Sequence, residues 1–253
     1  MHFLARERLK NCQRIVVKIG SNALVNEDGF NHKLISELAE EIELIVKLGK
    51  QIIIVTSGAI ALGKNITNTT HLSKQFYATI GQKQLIHEYG HCFEKVNLLT
   101  SQLLLTKTNF SEKIELEKLK LTITQAFELG IITIVNENDA SANNSFDNND
   151  LLAAELAKAT SSDLLVLLTN TNGIYKSMET KETITYGRKH ELDRYILEEN
   201  SIFGTGGMRT KLIASKIAGA NTIIANAFEE NILTKILTGK DVGTLINSNT
   251  NTK

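Results

Sequence analysis

Arg14-Ile-Val-Val-Lys-Ile19 and Gln51-Ile-Ile-Ile-Val-Thr56 are two short apolar runs, and the segment 31–48 between them sets Leu34, Ile35, Leu38, Ile42, Ile45 and Val46 at helical spacing. Strand, amphipathic helix and strand in that order make a βαβ unit with parallel strands. The second run is almost wholly apolar, as expected of a strand covered on both faces. Outward from this unit the alternation continues. Strands are predicted at 98–105, 131–135, 164–168 and 222–225, and helices at 73–93, 112–129, 149–159 and 209–218. The pattern predicts an α/β fold with a central, mainly parallel sheet. No linker composition and no internal repeat interrupts it, so residues 1–253 read as a single domain, with an irregular excursion at 175–203.

Composition narrows the function. Lys and Arg number 28, Asp and Glu 28, and 42% of residues are hydrophobic. That is an ordinary globular balance, without the net basic charge that nucleic-acid binding needs. The chain has no proline, where an average usage of about 5% would supply roughly 13. Every turn is therefore left to Gly, Asn, Asp and Ser. Two cysteines, Cys12 and Cys92, are too few for a disulfide framework. The charged N-terminal segment forms no signal-peptide core, and no apolar run reaches about 18 residues. Together these features predict a cytoplasmic protein with no membrane partner.

In parallel sheets ligands gather beyond the carboxyl ends of the strands, and the unusual residues fall there: Gly20-Ser21-Asn22, Ser57-Gly58-Ala59, Asn136-Glu137-Asn138-Asp139 and Thr169-Asn170. Lys18 lies inside an apolar strand, where a charge is costly unless it is paired or liganded. Either it reaches into an anion site at the strand end, or it snorkels from an exposed edge. Gly204-Thr-Gly-Gly-Met-Arg-Thr-Lys211 runs into a helix, a pattern that can turn backbone N–H groups toward an anion, and Lys211 would add a point charge. The stretch is neither a Walker loop nor a dinucleotide fingerprint. Asn143-Asn144 and Asp147-Asn148-Asn149-Asp150 bring amides and carboxylates that could bind an ammonium group, order lysines, position a hydrated magnesium ion or cap the next helix, with Asn149 or Asp150 as the cap. His87-Glu88-Tyr89-Gly90-His91 fits the zinc motif H-E-x-x-H, but Cys92-Phe93-Glu94 follows without the longer Gly-x-x-His continuation, so a plain amphipathic helix and no metal site are expected.

Six motifs in order, Val-Val-Lys18-Ile-Gly-Ser, Val-Thr-Ser57-Gly-Ala-Ile, Val-Asn-Glu-Asn-Asp139, Asn149-Asp150-x-Leu, Leu-Leu-Thr169-Asn-x-x-Gly173-Ile-Tyr and Gly-Thr-Gly-Gly-Met-x-Thr-Lys211, resemble the amino-acid kinase family, in particular its members that phosphorylate glutamate. The resemblance implies a three-layer αβα sandwich and transfer of the γ-phosphoryl group of ATP, with Mg2+, to the side-chain carboxylate of L-glutamate. The product would be L-glutamyl 5-phosphate, the first intermediate towards proline. By motif match Lys18 and Lys211 would stabilise the phosphoryl group in transit and Asp150 would orient them. Ser57, Gly58, Asn136, Asp139 and Asn149 would bind glutamate. Lys18, Gly20, Ser21, Thr169, Asn170, Gly173, Tyr175, Thr205, Gly206, Gly207, Met208, Arg209, Thr210 and Lys211 would hold ATP.

Three departures from the family pattern stand out. Asn170 replaces a usual Asp, and Asp147-Asn148-Asn149-Asp150 replaces Gly-Asp-Asn-Asp; the spacing to Leu152 favours Asn149 over Asn148 as the glutamate contact. The chain also stops at Lys253, so a C-terminal PUA-type domain is not expected. The family further implies a homo-oligomer and functional coupling to a glutamyl phosphate reductase. The alternatives are a related kinase acting on acetylglutamate or aspartate, and a sensor that binds nucleotide or amino acid without turnover.

Overall fold

The computed structural model describes residues 2–27, 29–141, 146, 148–177, 179–196 and 207–248. In chain order the elements are α1 (His2–Glu7), β1 (Arg14–Ile19), α2 (Ser21–Leu24), β2 (Val25–Asn26), β3 (Gly29–Phe30), α3 (His32–Lys47), β4 (Gln51–Val55), α4 (Ala59–Thr67), α5 (Lys74–Glu94) and β5 (Thr100–Leu105). There follow α6 (Thr108–Ser111), α7 (Lys113–Glu128), β6 (Ile132–Glu137), α8 (Asn149–Ala159), β7 (Leu164–Thr169), β8 (Tyr186–Arg188), α9 (Lys189–Ile196), α10 (Met208–Ala218), β9 (Asn221–Asn226), α11 (Ile232–Leu237) and β10 (Thr244–Asn247).

Eight strands form one sheet in the order β5-β6-β4-β1-β7-β9-β10-β8. All neighbours run parallel except β9 and β10. β1 is central, with Lys18 opposite Val55 of β4 on one side and Leu167 of β7 on the other. Side chains alternate across a strand. Ile15, Val17 and Ile19 therefore join the core under α3, α5 and α11, while Val16 joins the core under α7, α8 and α10. Lys18 shares the parity of Val16, so it points to the α8 side. Helices on both faces of a mainly parallel sheet make the three-layer αβα sandwich. The chain winds from β1 toward β4 and β6, then returns to β7 on the other flank. A crevice opens at such a switch point, above the carboxyl ends of β1 and β7.

Local chemistry sets the helix ends. Asn31 caps α3 by accepting the Leu34 N–H at 3.2 Å, and Ser73 caps α5 by accepting that of Phe76 at 3.2 Å. α4, absent from the sequence reading, starts without such a cap: Gly58 stands in its place with φ 94°. A β-carbon there would lie 2.9 Å from Val25 Cγ2, so both the left-handed backbone and the space require glycine. β8, α9, α11 and β10 were likewise not predicted. The stretch read as irregular carries a Tyr175–Thr183 bridge, β8 and α9, and its remainder, 197–203, lies outside the described residues. β8 has only three residues with Gly187 at its centre, too short and too weak in strand formers to stand out.

α4 and α5 touch backbone to backbone. A β-carbon on Gly63 would sit 2.0 Å from the Tyr77 carbonyl oxygen, and one on Gly81 1.7 Å from that of Ala59. Gly81→Ala is therefore expected to lower the denaturant midpoint. The clash of about 2 kcal/mol or more outweighs the roughly 1 kcal/mol that Ala gains over Gly inside a helix. A midpoint at or above wild type would contradict this packing.

The two chain ends meet at the far edge of the sheet. The buried Arg6 guanidinium of α1 donates to the carbonyls of Val242 (2.5 Å), Thr185 (2.6 Å), Gly243 (2.9 Å) and Lys240 (3.2 Å).

Candidate active site

Lys18 is not at an edge. It sits on the central strand, 7% exposed, and its ammonium lies 2.6 Å from Asp150 Oδ1. Lys211, on the first turn of α10, reaches the other oxygen, Asp150 Oδ2, at 2.9 Å. Asp150 itself is fully buried at the start of α8. Three elements separated by 132 and 61 positions thus deliver two cations to one carboxylate. Burial opposes the charge on Asp150, but Lys18 and Lys211 together hold its carboxyl below the ordinary range. Desolvation lowers the Lys18 ammonium against the pull of Asp150.

Beside this triad the start of α8 is pinned from both sides. Phe146 donates its N–H to the Glu137 carboxylate, and its ring packs edge-on against Phe110. Asn148 supplies the cap of α8, accepting the Asp150 N–H at 2.7 Å, in place of the expected Asn149 or Asp150. Its side chain is turned to the backbone, while Asn149 Nδ2 donates to the Thr56 carbonyl (2.7 Å) and to Asn136 Oδ1 (2.9 Å). Among the described residues Asn149 Oδ1 is a buried acceptor with no donor. Nearby on the chain, the Ser57 hydroxyl donates to the Ile19 carbonyl at 3.0 Å and ties the end of β4 to that of β1. Asp139 lines a cavity of about 200 Å³ with Gln82, Lys83, Glu137 and Asn138, and burial raises its carboxyl above the ordinary range.

On the other flank Gly20 N–H donates to Leu168 O at 3.2 Å, which brings Gly20 and Ser21 to the end of β7, where Thr169 and Asn170 follow. A β-carbon on Gly20 would stand 3.9 Å from the Lys18 ammonium. Gly173 and Tyr175 shape the turn beyond. At φ 135°, a β-carbon on Gly173 would meet Thr244 Oγ1 at 2.5 Å, and the Tyr175 hydroxyl accepts the Asn172 N–H at 3.2 Å. Gly207 caps α10, Met208 packs into the α8-side core, Arg209 is exposed, and the Thr210 N–H returns to the Gly207 carbonyl at 3.0 Å. Asn143, Asn144, Asp147, Thr205 and Gly206 lie outside the described residues. His87, Glu88 and His91 ride on α5, where the Glu88 carboxylate accepts from Gln84 and faces His32 at 3.5 Å. Among the described residues no three His, Cys, Asp or Glu side chains converge as a metal site.

The sequence profile of the amino acid kinase family matches residues 13–225. The chain belongs to the amino-acid kinase family. Within that family it is 36% identical to a glutamate 5-kinase of Dehalococcoides mccartyi, over 93% of this chain and 69% of the relative. It is 35% identical to glutamate 5-kinases of Alkaliphilus metalliredigens (96% and 98% of the two chains) and Enterococcus faecalis (95% and 96%). A UMP kinase from Bacillus anthracis superimposes with a TM-score of 0.68 at 19% identity, covering 94% of this chain and 97% of that one, a likeness of fold. In this member of the amino-acid kinase family, sequence reasoning had passed over Gln82 and Phe146 and had given Glu137 no role beyond its place in the Asn136–Asp139 stretch. Gln82 stands in no cluster that spacing picks out and is found only through its bond to Asn136, 54 positions away, and Phe146 only through its bond to Glu137.

Proposed function

We propose that the chain transfers the γ-phosphoryl group of ATP to the side-chain carboxylate of L-glutamate, giving ADP and L-glutamyl 5-phosphate, the first step of proline biosynthesis. The observation that carries this reading is the buried pair of lysines clamped on Asp150 at the carboxyl end of the central strand. A carboxylate acceptor is already ionised at neutral pH, so one of its oxygens forms the new P–O bond as the bond to ADP breaks, and no proton has to be removed. Catalysis then rests on positioning and on neutralising charge. Lys18 and Lys211 supply the positive charge, Asp150 holds them apart and aligned, and the Gly20 and Gly207 turns let backbone approach the phosphates.

Ser57, Gly58, Asn136, Asp139 and Asn149 form the acceptor side in this reading. The unmet Asn149 Oδ1 and the Asp139 carboxylate are both suited to an ammonium group. Thr169, Asn170 and the turn built by Gly173 and Tyr175 form the nucleotide side, together with residues 205–211. Both oxygens of Asp150 are taken by lysines, so Mg2+ fits here as an ion carried on the nucleotide. Such an ion would supply charge neutralisation of the nucleotide phosphates, beside the charge that Lys18 and Lys211 provide.

No helix is long and apolar enough to cross a membrane among the described residues, and Cys12 and Cys92 are free and buried. Both observations favour a cytoplasmic reaction. An acyl phosphate is labile in water, which favours a glutamyl phosphate reductase acting close at hand. Sedimentation tests the homo-oligomer. The deciding assay traps acyl phosphate as hydroxamate with glutamate, aspartate and acetylglutamate in turn. Product from glutamate supports the reading, and product from acetylglutamate alone overturns it.

Asp139 gives a pH signature. Burial raises its carboxyl above the ordinary carboxylate range, so as pH falls it gains a proton earlier than an exposed Asp would; ammonium binding is intact at neutral pH and fades on acidification. With ATP saturating, kcat/KM for glutamate is expected to fall on the acid side. Asp139→Asn should raise the glutamate KM at neutral pH and lose that acid limb. An unchanged limb in Asp139→Asn would exclude Asp139 as its source.

A further inference from the structure

We propose that Gln82, on α5, is a positioning residue for the amino-acid substrate: it anchors Asn136 and thereby holds the Asn149 amide in the orientation that leaves Asn149 Oδ1 open to a substrate donor. The proposal rests on the amino-acid acceptor of the preceding reading. Its basis is a directed chain of amides. Gln82 Oε1 accepts from Asn136 Nδ2 at 2.7 Å; Asn136 Oδ1 accepts from Asn149 Nδ2 at 2.9 Å; and Asn149 Nδ2 also donates to the Thr56 carbonyl at 2.7 Å.

The direction of the chain is fixed by backbone groups that cannot be reversed. Asn136 Oδ1 accepts the Glu137 N–H at 2.9 Å, so the oxygen of that amide must lie on this side and its nitrogen must turn toward Gln82. The Thr56 carbonyl, at the other end, demands a donor and so fixes Asn149 Nδ2. Both hydrogens of Asn149 Nδ2 and both lone pairs of Asn136 Oδ1 are then spent. The oxygen of Asn149 is left buried without a donor among the described residues. A buried acceptor in that state is costly, and a substrate ammonium group would satisfy it. Gln82 closes the chain at its outer end. Asn136 is 1% exposed, and without Gln82 Oε1 its amide nitrogen loses the partner that keeps the plane from turning.

Gln82 is itself half-buried and lines the cavity of about 200 Å³ that Asp139 shares. Water from that cavity can reach Asn136 if the side chain is shortened or made apolar, so the fold survives while the amide loses its fixed orientation. The defect should therefore appear in substrate binding rather than in stability or in the phosphoryl step.

The test is Gln82→Leu in the full chain, read by the hydroxamate assay. The expected result is a glutamate KM raised about tenfold, with the KM for ATP within about twofold and kcat within about threefold of wild type, the mark of lost substrate binding. In an Asn149→Ala background the same substitution should change the glutamate KM by less than about twofold, because the two act through one chain. A glutamate KM within twofold of wild type for Gln82→Leu overturns the proposal, as does a rise in the ATP KM equal to that for glutamate. A full tenfold effect persisting in Asn149→Ala also overturns it. If Gln82→Leu does not fold, Gln82→Ala is read by the same criteria. A wild-type chain that makes no hydroxamate from glutamate removes the activity and this proposal together; an active wild type with an unaffected variant removes this proposal alone.

Discussion

Lys18→Ala is expected to cut kcat at least 100-fold, or about 2.7 kcal/mol of transition-state stabilisation, and Lys211→Ala to do the same. The reaction brings a carboxylate against a polyphosphate, so like charges must be forced together. Each lysine offsets that repulsion from a site shielded from water, where a unit charge counts for more than at the surface. Lys18 and Lys211 are both 7% exposed and reach opposite oxygens of one carboxylate, so neither can take the other's place. Lys18→Met and Lys211→Met keep most of the aliphatic volume and separate the loss of charge from the loss of packing. Initial rates at saturating glutamate and ATP provide the measurement. Near-normal turnover in either Met variant would release that lysine from its role.

Asp150→Asn is expected to destabilise the chain by about 3 kcal/mol at neutral pH, the scale for breaking a buried ion pair from one side. The substitution takes the shared negative charge away from two buried ammonium groups and turns an amide donor toward one of them. Desolvation already lowers Lys18 in the native state, so its folded pKa lies below the unfolded value. The unfolded chain then binds more protons between those two values, and stability of the variant rises with pH across that window. ATP should also raise the melting temperature of Asp150→Asn by more than that of wild type, because phosphate supplies the missing negative charge. Thermal melts with and without nucleotide test both points. A variant as stable as wild type, with equal nucleotide shifts, would mean that Asp150 does not carry the lysines.

Much of the scaffold was legible because burial on both faces leaves near-continuous apolar runs: β1, β4, β6, β7 and β9 were each found within two residues of their ends. β8 and β10 were missed, since three- and four-residue strands leave too short a pattern to read. α4 was missed because glycine occupies its cap position and appears again inside it. Within the site, Lys18 betrayed itself as a charge in an apolar strand, and alternation with Val16 gives the face to which it points. Spacing does not show that Asn148 accepts the Asp150 N–H as the cap of α8 while the Asn149 amide turns to Thr56 and Asn136. Gln82 could not be singled out from spacing, because its partner Asn136 lies 54 positions away and neither residue carries charge.

The antiparallel insertion of β10 between β9 and β8 sets a schedule for the growing chain. β8 is made before β9 and β10 but, among the described residues, pairs with β10 alone, so it has no berth in the sheet until residue 247 has left the ribosome. α1, the first helix made, is held to the same waiting point, since three of the four carbonyls that receive Arg6 belong to residues 240–243. Until then β9 forms a bare edge, and the lysine pair and its carboxylate, all upstream of it, can already have come together in a half-finished sheet.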